Sequence, residues 1–278
     1  MKPAPFAYER PKGLNAALGL ISQTDRAVKI IAGGQSLGPM LNLRLVQPDL
    51  VVDISGLAEL KQASCTDGEL VLGACITHSD IEDERVPDVT RGAMQRVAAA
   101  IAYRAVRNRG TIGGSLSHAD PAADWVTALS ALGAKVSLRS LSGVRKLAVE
   151  AFITGALESA LRTGEIVAAV HVPAMTRSAK WGYFKSCRKT GEFAHAIGAV
   201  LIDPERGSAR AAIGALGGAP IVLADAAPLF GGRVTADFLK QFDGSVADAM
   251  LAKAGLSQAA DRHMHVTALR RAIAEAAA

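Results

Sequence analysis

Arg104 to Trp125 reads RAVRNRGTIGGSLSHADPAADW. Three arginines, Arg104, Arg107 and Arg109, run into a turn at Gly110–Ser115. Glycine permits positive φ and close backbone approach, and successive N–H groups in such a turn form a concavity suited to an anion. Hydroxyls at Thr111, Ser115 and Ser117 add donors. Asp120-Pro121 then pairs a capping residue with a first-turn proline, so a helix is expected over Ala122–Leu132. The plain alternative is a surface loop that leads into a helix.

Upstream, Val28–Ala32 (VKIIA) is a short β run that feeds Gly33-Gly34-Gln35-Ser36-Leu37-Gly38. A strand entering a glycine turn is a setting for phosphate binding by backbone amides. With Leu50–Ile54 (LVVDI) as the next strand, a βαβ-like unit holds this turn. Neither turn is a standard nucleotide loop. Pro39-Met40 stands where a P-loop needs Lys then Ser or Thr, and neither place carries a G-x-G-x-x-G. Gly34–Gly38 also fits G-x-S-x-G, but only about 30 residues precede Ser36, too few for the strands and oxyanion loop that an α/β-hydrolase builds first.

AGGQSL (Ala32–Leu37), TIGGSLSHADPAAD (Thr111–Asp124) and YFKSCRKTGEFA (Tyr183–Ala194) together resemble the FAD-binding medium subunit of the molybdenum hydroxylases, the group of xanthine dehydrogenase and carbon monoxide dehydrogenase. The matches fall in family order and spacing, and the resemblance covers nearly the whole chain. Ser115 stands where the family usually has Asn. The resemblance implies a two-subdomain FAD-binding fold of the PCMH type, followed by a C-terminal antiparallel sheet packed with helices. The FAD-binding domain would be 1–176, with subdomains 1–57 and 58–176, and the C-terminal flavoprotein domain 177–278.

The resemblance further implies non-covalent FAD. Its contacts would be Lys29, Ile31, Ala32, Gly33, Gly34, Gln35, Ser36 and Leu37 around the first loop, and Thr111, Gly113, Gly114, Ser115, His118, Asp120 and Asp124 around the second. Asp124 would accept from ribose hydroxyls, and Asp120 would cap the helix. Ile101 and Val167 would pack against the cofactor, and Lys185 would lie by the flavin ring or its phosphates. Molybdenum cofactor and 2Fe–2S clusters are expected only on partners, a large molybdenum-binding subunit and a small iron–sulfur subunit. The implied role is electron transfer from iron–sulfur clusters to an external acceptor, with no catalytic residue of the chain's own. A self-contained FAD oxidoreductase of the same fold and a non-catalytic nucleotide-binding scaffold are the alternatives. Carbon monoxide, purines, N-heteroaromatic compounds and aldehydes are all compatible substrates.

Composition agrees. Half of the 278 residues are hydrophobic, enough for a sizeable core, and only 4% are aromatic, which disfavours base stacking with nucleic acid. The net charge of +5 is spread without a Lys/Arg block. Cys65, Cys75 and Cys187 form no C-x-x-C. No disulfide scaffold is expected, and a cytoplasmic setting fits. Nor do they supply the four close ligands of an iron–sulfur cluster. No segment approaches the roughly 18 apolar residues of a membrane helix, and MKPAPFAYERP has no apolar signal core. His263-Met264-His265 has no carboxylate or Cys cluster beside it and reads as a solvated face.

Further strands are expected at Glu69–Leu72, Ala134–Leu138, Glu165–Val172, Trp181–Lys185, Ile197–Ile202 and Ala209–Leu216, with DPERG (Asp203–Gly207) as a hairpin turn. Helices are expected at Leu14–Gln23, from Thr77 with Asp80 completing a capping box, at Gly92–Ala102, and from Val234 onward. This mixture is α+β and not one doubly wound sheet.

Overall fold

Three β-sheets, a two-stranded ribbon and the helices between them make up the chain in a computed structural model that describes residues 2–278. Met1, where an extended N-terminal run is expected to begin, lies outside the described residues. The first sheet is parallel, in the order β1-β3-β2, from β1 (Ala7–Glu9), β2 (Val28–Ile31) and β3 (Leu50–Asp53). Helix α1 (Leu14–Ile21) buries Leu14, Ala17, Leu18 and Ile21, a stripe at helical spacing, in one core with Leu50 and Val52. After β2 the chain passes through Gly33–Ser36 into the short helix α2 (Leu37–Asn42) and returns to β3, the βαβ arrangement expected from the sequence.

The second sheet is antiparallel, in the order β4-β5-β10-β6-β7. Its strands are β4 (Ala63–Thr66), β5 (Glu69–Gly73), β6 (Lys135–Ser140), β7 (Gly143–Ala148) and, after the ribbon of β8 (Ile153–Gly155) and β9 (Glu158–Ser159), β10 (Ile166–Pro173). Between β5 and β6 run α3 (His78–Glu82), α4 (Ala93–Ala99), α5 (Arg104–Arg107), α6 (Ile112–His118) and α7 (Asp124–Ala131), and α8 (Val149–Phe152) follows β7. Thr77 caps α3 through a capping box with Asp80, as the sequence predicts. Leu70, Leu72, Val136, Val170 and Val172 of the sheet share one core with Ile112, Leu116, Trp125 and Leu129 of the helices.

The third sheet is an antiparallel meander of β11 (Lys180–Ser186), β12 (Ala196–Asp203), β13 (Ser208–Gly214) and β14 (Ile221–Leu223). It is packed with α9 (Phe238–Gln241), α10 (Gly244–Lys253) and α11 (Ala259–Ala277). A Cβ on Gly182 would lie 1.7 Å from the Ala272 carbonyl oxygen, so glycine in β11 is what lets α11 press backbone to backbone onto the sheet. All 8 residues of α7 are buried, and a Cβ on Gly214 of β13 would lie 1.7 Å from Thr127 Oγ1. Thus α7 is wedged against the third sheet while Trp125 anchors it in the core beneath the second. The α+β class with a C-terminal antiparallel sheet is the one observed. No helix among the described residues is long and apolar enough to cross a membrane.

Two local expectations are corrected. Gly110–Ser115 is not a glycine turn, because α6 begins at Ile112, with Thr111 Oγ1 accepting from Gly114 N at 3.1 Å. A good N-cap and the burial of Ile112 and Leu116 outweigh the poor helix propensity of two glycines. Asp120 is not the cap of the next helix, which starts at Asp124 after Ala123. Asp120 Oδ1 instead accepts from Ala122 N at 2.9 Å, which fixes the turn around Pro121.

Candidate cofactor site

A cleft of about 620 Å³ opens where the first loop meets the start of α6. The two glycine segments abut. A Cβ on Gly33 would lie 2.0 Å from the Arg109 carbonyl oxygen and 2.9 Å from Gly110 Cα, and Arg109 Nε donates to the Gly33 carbonyl at 3.3 Å. Of the residues singled out in the sequence, the cleft is lined by Lys29, Ala32, Gly33, Gly34, Gln35, Ser36 and Leu37 on one side, and by Thr111, Gly113, Gly114, Ser115, His118, Asp120 and Asp124 on the other. Ile101 and Val167 join its apolar wall. Ile31 and Lys185 stand outside the lining. Ile31 supports Gly34 from beneath, and Lys185 lies behind Asp124.

The two loops differ in what they offer. Among the described residues no protein acceptor takes the amides of Gly34, Gln35 and Ser36, and Gly34 has φ +73°. These amides and the helix start at Leu37 form an electropositive rim. Around α6 the amides are already engaged. Ile112 N donates to Ile76 O, Gly113 N to Ala74 O, and Ser115 N to Thr111 O. The second segment therefore contributes close backbone approach and the Ser115 hydroxyl, which has no partner among the described residues, while the Ser117 hydroxyl donates to Gly113 O at 2.8 Å.

Asp124 sits at the buried end. Its Oδ1 accepts from Tyr183 Oη at 2.7 Å and from Lys185 Nζ at 2.8 Å, and Lys185 Nζ also donates to Ala100 O at 2.7 Å. Burial, followed by the charge of Asp124, pushes the Tyr183 hydroxyl well above the ordinary tyrosine range, so it stays a donor. Among the described residues Asp124 Oδ2 has no hydrogen-bond partner, and it is free to accept from a hydroxyl in the cleft. Glycine cradle, unengaged amides and free carboxylate oxygen are the donor and acceptor set that a dinucleotide's phosphates and hydroxyls require.

Other lining residues carry no motif in the sequence. His78 is buried beside Gly110. Tyr103 and Phe193 are exposed aromatics on the rim, with Gly191 (φ +90°) packed onto the Tyr103 ring. Exposed aromatics lining a cleft were not legible from spacing. Arg104 and Arg107, counted from the sequence as a basic run, are neutralised. Arg104 NH1 and Arg107 Nε both reach Glu82 Oε2, at 2.8 and 2.7 Å, and Arg104 also binds Asp83. The pair His263 and His265 divides, since His263 is exposed while His265 is buried with Nδ1 2.8 Å from the Asp261 carbonyl, so a solvated face describes only half of it.

Residues 4–175 match the family described as the FAD binding domain in molybdopterin dehydrogenase. The chain is 36% identical over 225 residues to caffeine dehydrogenase subunit beta of Pseudomonas sp. (strain CBB1), covering 80% of this chain and 76% of that one. It is 33% identical over 202 residues to the carbon monoxide dehydrogenase medium chain of Hydrogenophaga pseudoflava, covering 73% and 70%. The solved structure of the Hydrogenophaga pseudoflava carbon monoxide dehydrogenase that lacks the Mo-pyranopterin moiety of its cofactor superposes with a TM-score of 0.89 at 29% identity, over 99% of this chain and 98% of that chain. Quinoline 2-oxidoreductase from Pseudomonas putida 86 gives 0.85 at 32% identity, over 100% and 98%.

Proposed function

Since the chain belongs to the family of FAD binding domains of molybdopterin dehydrogenases, we propose that it is the FAD-binding electron-transfer subunit of a heteromeric molybdenum hydroxylase. The observation that carries this reading is the pairing of unengaged amides at Gly34–Ser36 with the free Oδ2 of Asp124 across one cleft. That donor and acceptor set fits FAD. When bound, FAD supplies the redox chemistry, and the chain supplies binding, orientation and electrostatics.

In this reading the Gly34, Gln35 and Ser36 amides and the Ser36 and Ser115 hydroxyls hold the pyrophosphate, and Asp124 Oδ2 accepts from a hydroxyl of the cofactor. Lys185 acts through Asp124, holding its carboxylate in place by the 2.8 Å contact to Oδ1, and not by direct contact with the flavin. Ile101 and Val167 exclude water on the apolar wall. Residues 1–176 form the FAD-binding domain, with subdomains 1–57 and 58–176, and 177–278 the C-terminal domain. Relatives named as a medium chain and as a subunit beta support a multi-chain assembly; in this reading the partners are a small iron–sulfur chain and a large molybdenum-binding chain, the setting is cytoplasmic, and no nucleic acid is bound.

The test uses the purified full chain. It should bind FAD stoichiometrically, release it intact on acid precipitation, and contain neither iron nor molybdenum. Substrate-dependent dye reduction should appear only when both partner chains are added. Flavin left in the pellet, FMN in place of FAD, stoichiometric iron, or dye reduction by the chain alone would overturn the reading.

A further inference from the structure

His78 is 5% exposed, yet it lines the cleft. Its Nδ1 lies 3.0 Å from Trp125 Nε1. An indole nitrogen only donates, so Nδ1 is the acceptor and the proton of a neutral ring sits on Nε2. Burial, helped by the nearby Arg107 guanidinium, pushes the imidazole down to about 4, which keeps the ring neutral near pH 7. Two structural facts therefore fix one N–H at one place: the Trp125 donor on buried α7, and the α3 backbone, tied in turn to the second loop by His78 N donating to Gly110 O at 2.9 Å.

That Nε2–H has no acceptor among the described residues. Nor is Nε2 one of the fully buried polar atoms that lack a partner, so the donor keeps access to solvent at the cleft that His78 lines. Its neighbour is Gly110, where a Cβ would lie 2.8 Å from Nε2, and beyond that glycine lies the cleft floor shared with Thr111 and Gly113. The missing side chain at Gly110 leaves the imidazole edge uncovered on the cleft side.

We propose that His78 is a further cofactor-binding residue, whose Nε2–H, oriented by Trp125, donates to an oxygen of the dinucleotide where it crosses the two glycine segments. The inference rests on the FAD reading given above. Because the donor is neutral, its contribution does not depend on pH in the range where an ordinary histidine titrates. Trp125 makes no contact with the ligand and is a positioning residue.

The full chain, freed of flavin, is titrated with FAD by fluorescence. His78→Phe keeps the ring volume and removes the donor, and should raise the FAD dissociation constant about 10-fold or more. His78→Gln restores an N–H at the reach of Nε2 and should stay within about 3-fold of wild type. In wild type labelled with ¹⁵N-histidine, the His78 ring should read as the neutral Nε2–H form from about pH 5 to 8, and its Nε2 and N–H resonances should move on saturation with FAD. Wild-type affinity in His78→Phe, or His78 resonances that FAD leaves unmoved, would overturn the proposal while leaving the cofactor reading intact. If His78→Phe does not fold, the resonances of wild type decide. Failure of wild type to bind FAD would overturn the cofactor reading itself.

Discussion

The ammonium of Lys185 lies 2.8 Å from Oδ1 of Asp124, with the two side chains only 8% and 9% exposed. Such a pair is stable only while both partners are present, because either charge alone is left uncompensated away from water. Lys185→Met leaves the carboxylate with the Tyr183 hydroxyl as its one remaining donor, and should cost about 3 kcal/mol in urea denaturation. Asp124→Asn combined with Lys185→Met removes both charges and should recover part of that loss. Asp124→Ala, by the same geometry, should weaken the fold as well as cofactor binding. A Lys185→Met chain within about 0.5 kcal/mol of wild type would show that the pair is hydrated in solution.

Gly33→Ala tests the junction of the two loops. A Cβ there would lie 2.0 Å from the Arg109 carbonyl oxygen, so the segments must part. The effect should fall first on the cleft, with FAD affinity reduced at least about 10-fold, the worth of one charge-assisted hydrogen bond. Gly38→Ala, where a Cβ meets nothing within 4 Å, is the matched control and should bind FAD as wild type does.

Much of this site was legible because its signals are local. A strand followed by Gly-Gly-Gln-Ser, and a Thr followed by glycines and hydroxyls, each lie within a few residues of sequence, although that Thr111 caps a helix was not read from them. What escaped was set by contacts across the chain. The amides of α6 are engaged by Ala74 and Ile76 from the segment after β5, which no reading of residues 110–115 reveals. Arg104 and Arg107 look basic in sequence but are neutralised by Glu82 at the end of α3 and Asp83 just after it. Strands β4 and β7 contain no buried residue and no clean alternation, and are held by pairing to β5 and β6. His78 carries no motif, and its state is fixed by a tryptophan 47 residues away.

Two glycines in the packed part of the fold should respond in opposite directions. Gly19 lies on the outer face of α1, where a Cβ meets nothing within 4 Å. Gly19→Ala should therefore stabilise the chain by about 0.5–1 kcal/mol through helix propensity and a less flexible unfolded state. Gly182→Ala places a Cβ 1.7 Å from the Ala272 carbonyl oxygen, so α11 must lift from the sheet, at a cost of about 3 kcal/mol or more. Thermal or urea unfolding of the two variants separates these outcomes, and a stable Gly182→Ala would mean that α11 slides without loss.

The pH dependence of stability isolates His78. Its folded value of about 4 lies below the ordinary 6.5. Between those two the unfolded chain binds a proton that the native chain refuses, so stability rises with pH across this window. The contribution is fully present above about pH 6.5 and declines as pH falls towards 4, by about 3 kcal/mol in total. Carboxylates with depressed values act lower down. Asp83, hydrogen-bonded by Arg104 and Arg85, is held at about 2 against an ordinary 3.8, so its contribution is present above the upper value and is lost only as pH falls towards the lower. Urea unfolding from pH 7 to pH 4 should show a slope in wild type that His78→Phe largely lacks, while the two chains should lose stability in parallel below pH 4. Equal slopes above pH 4 would mean that the imidazole is protonated in the folded chain, and that Trp125 does not hold it as a neutral donor.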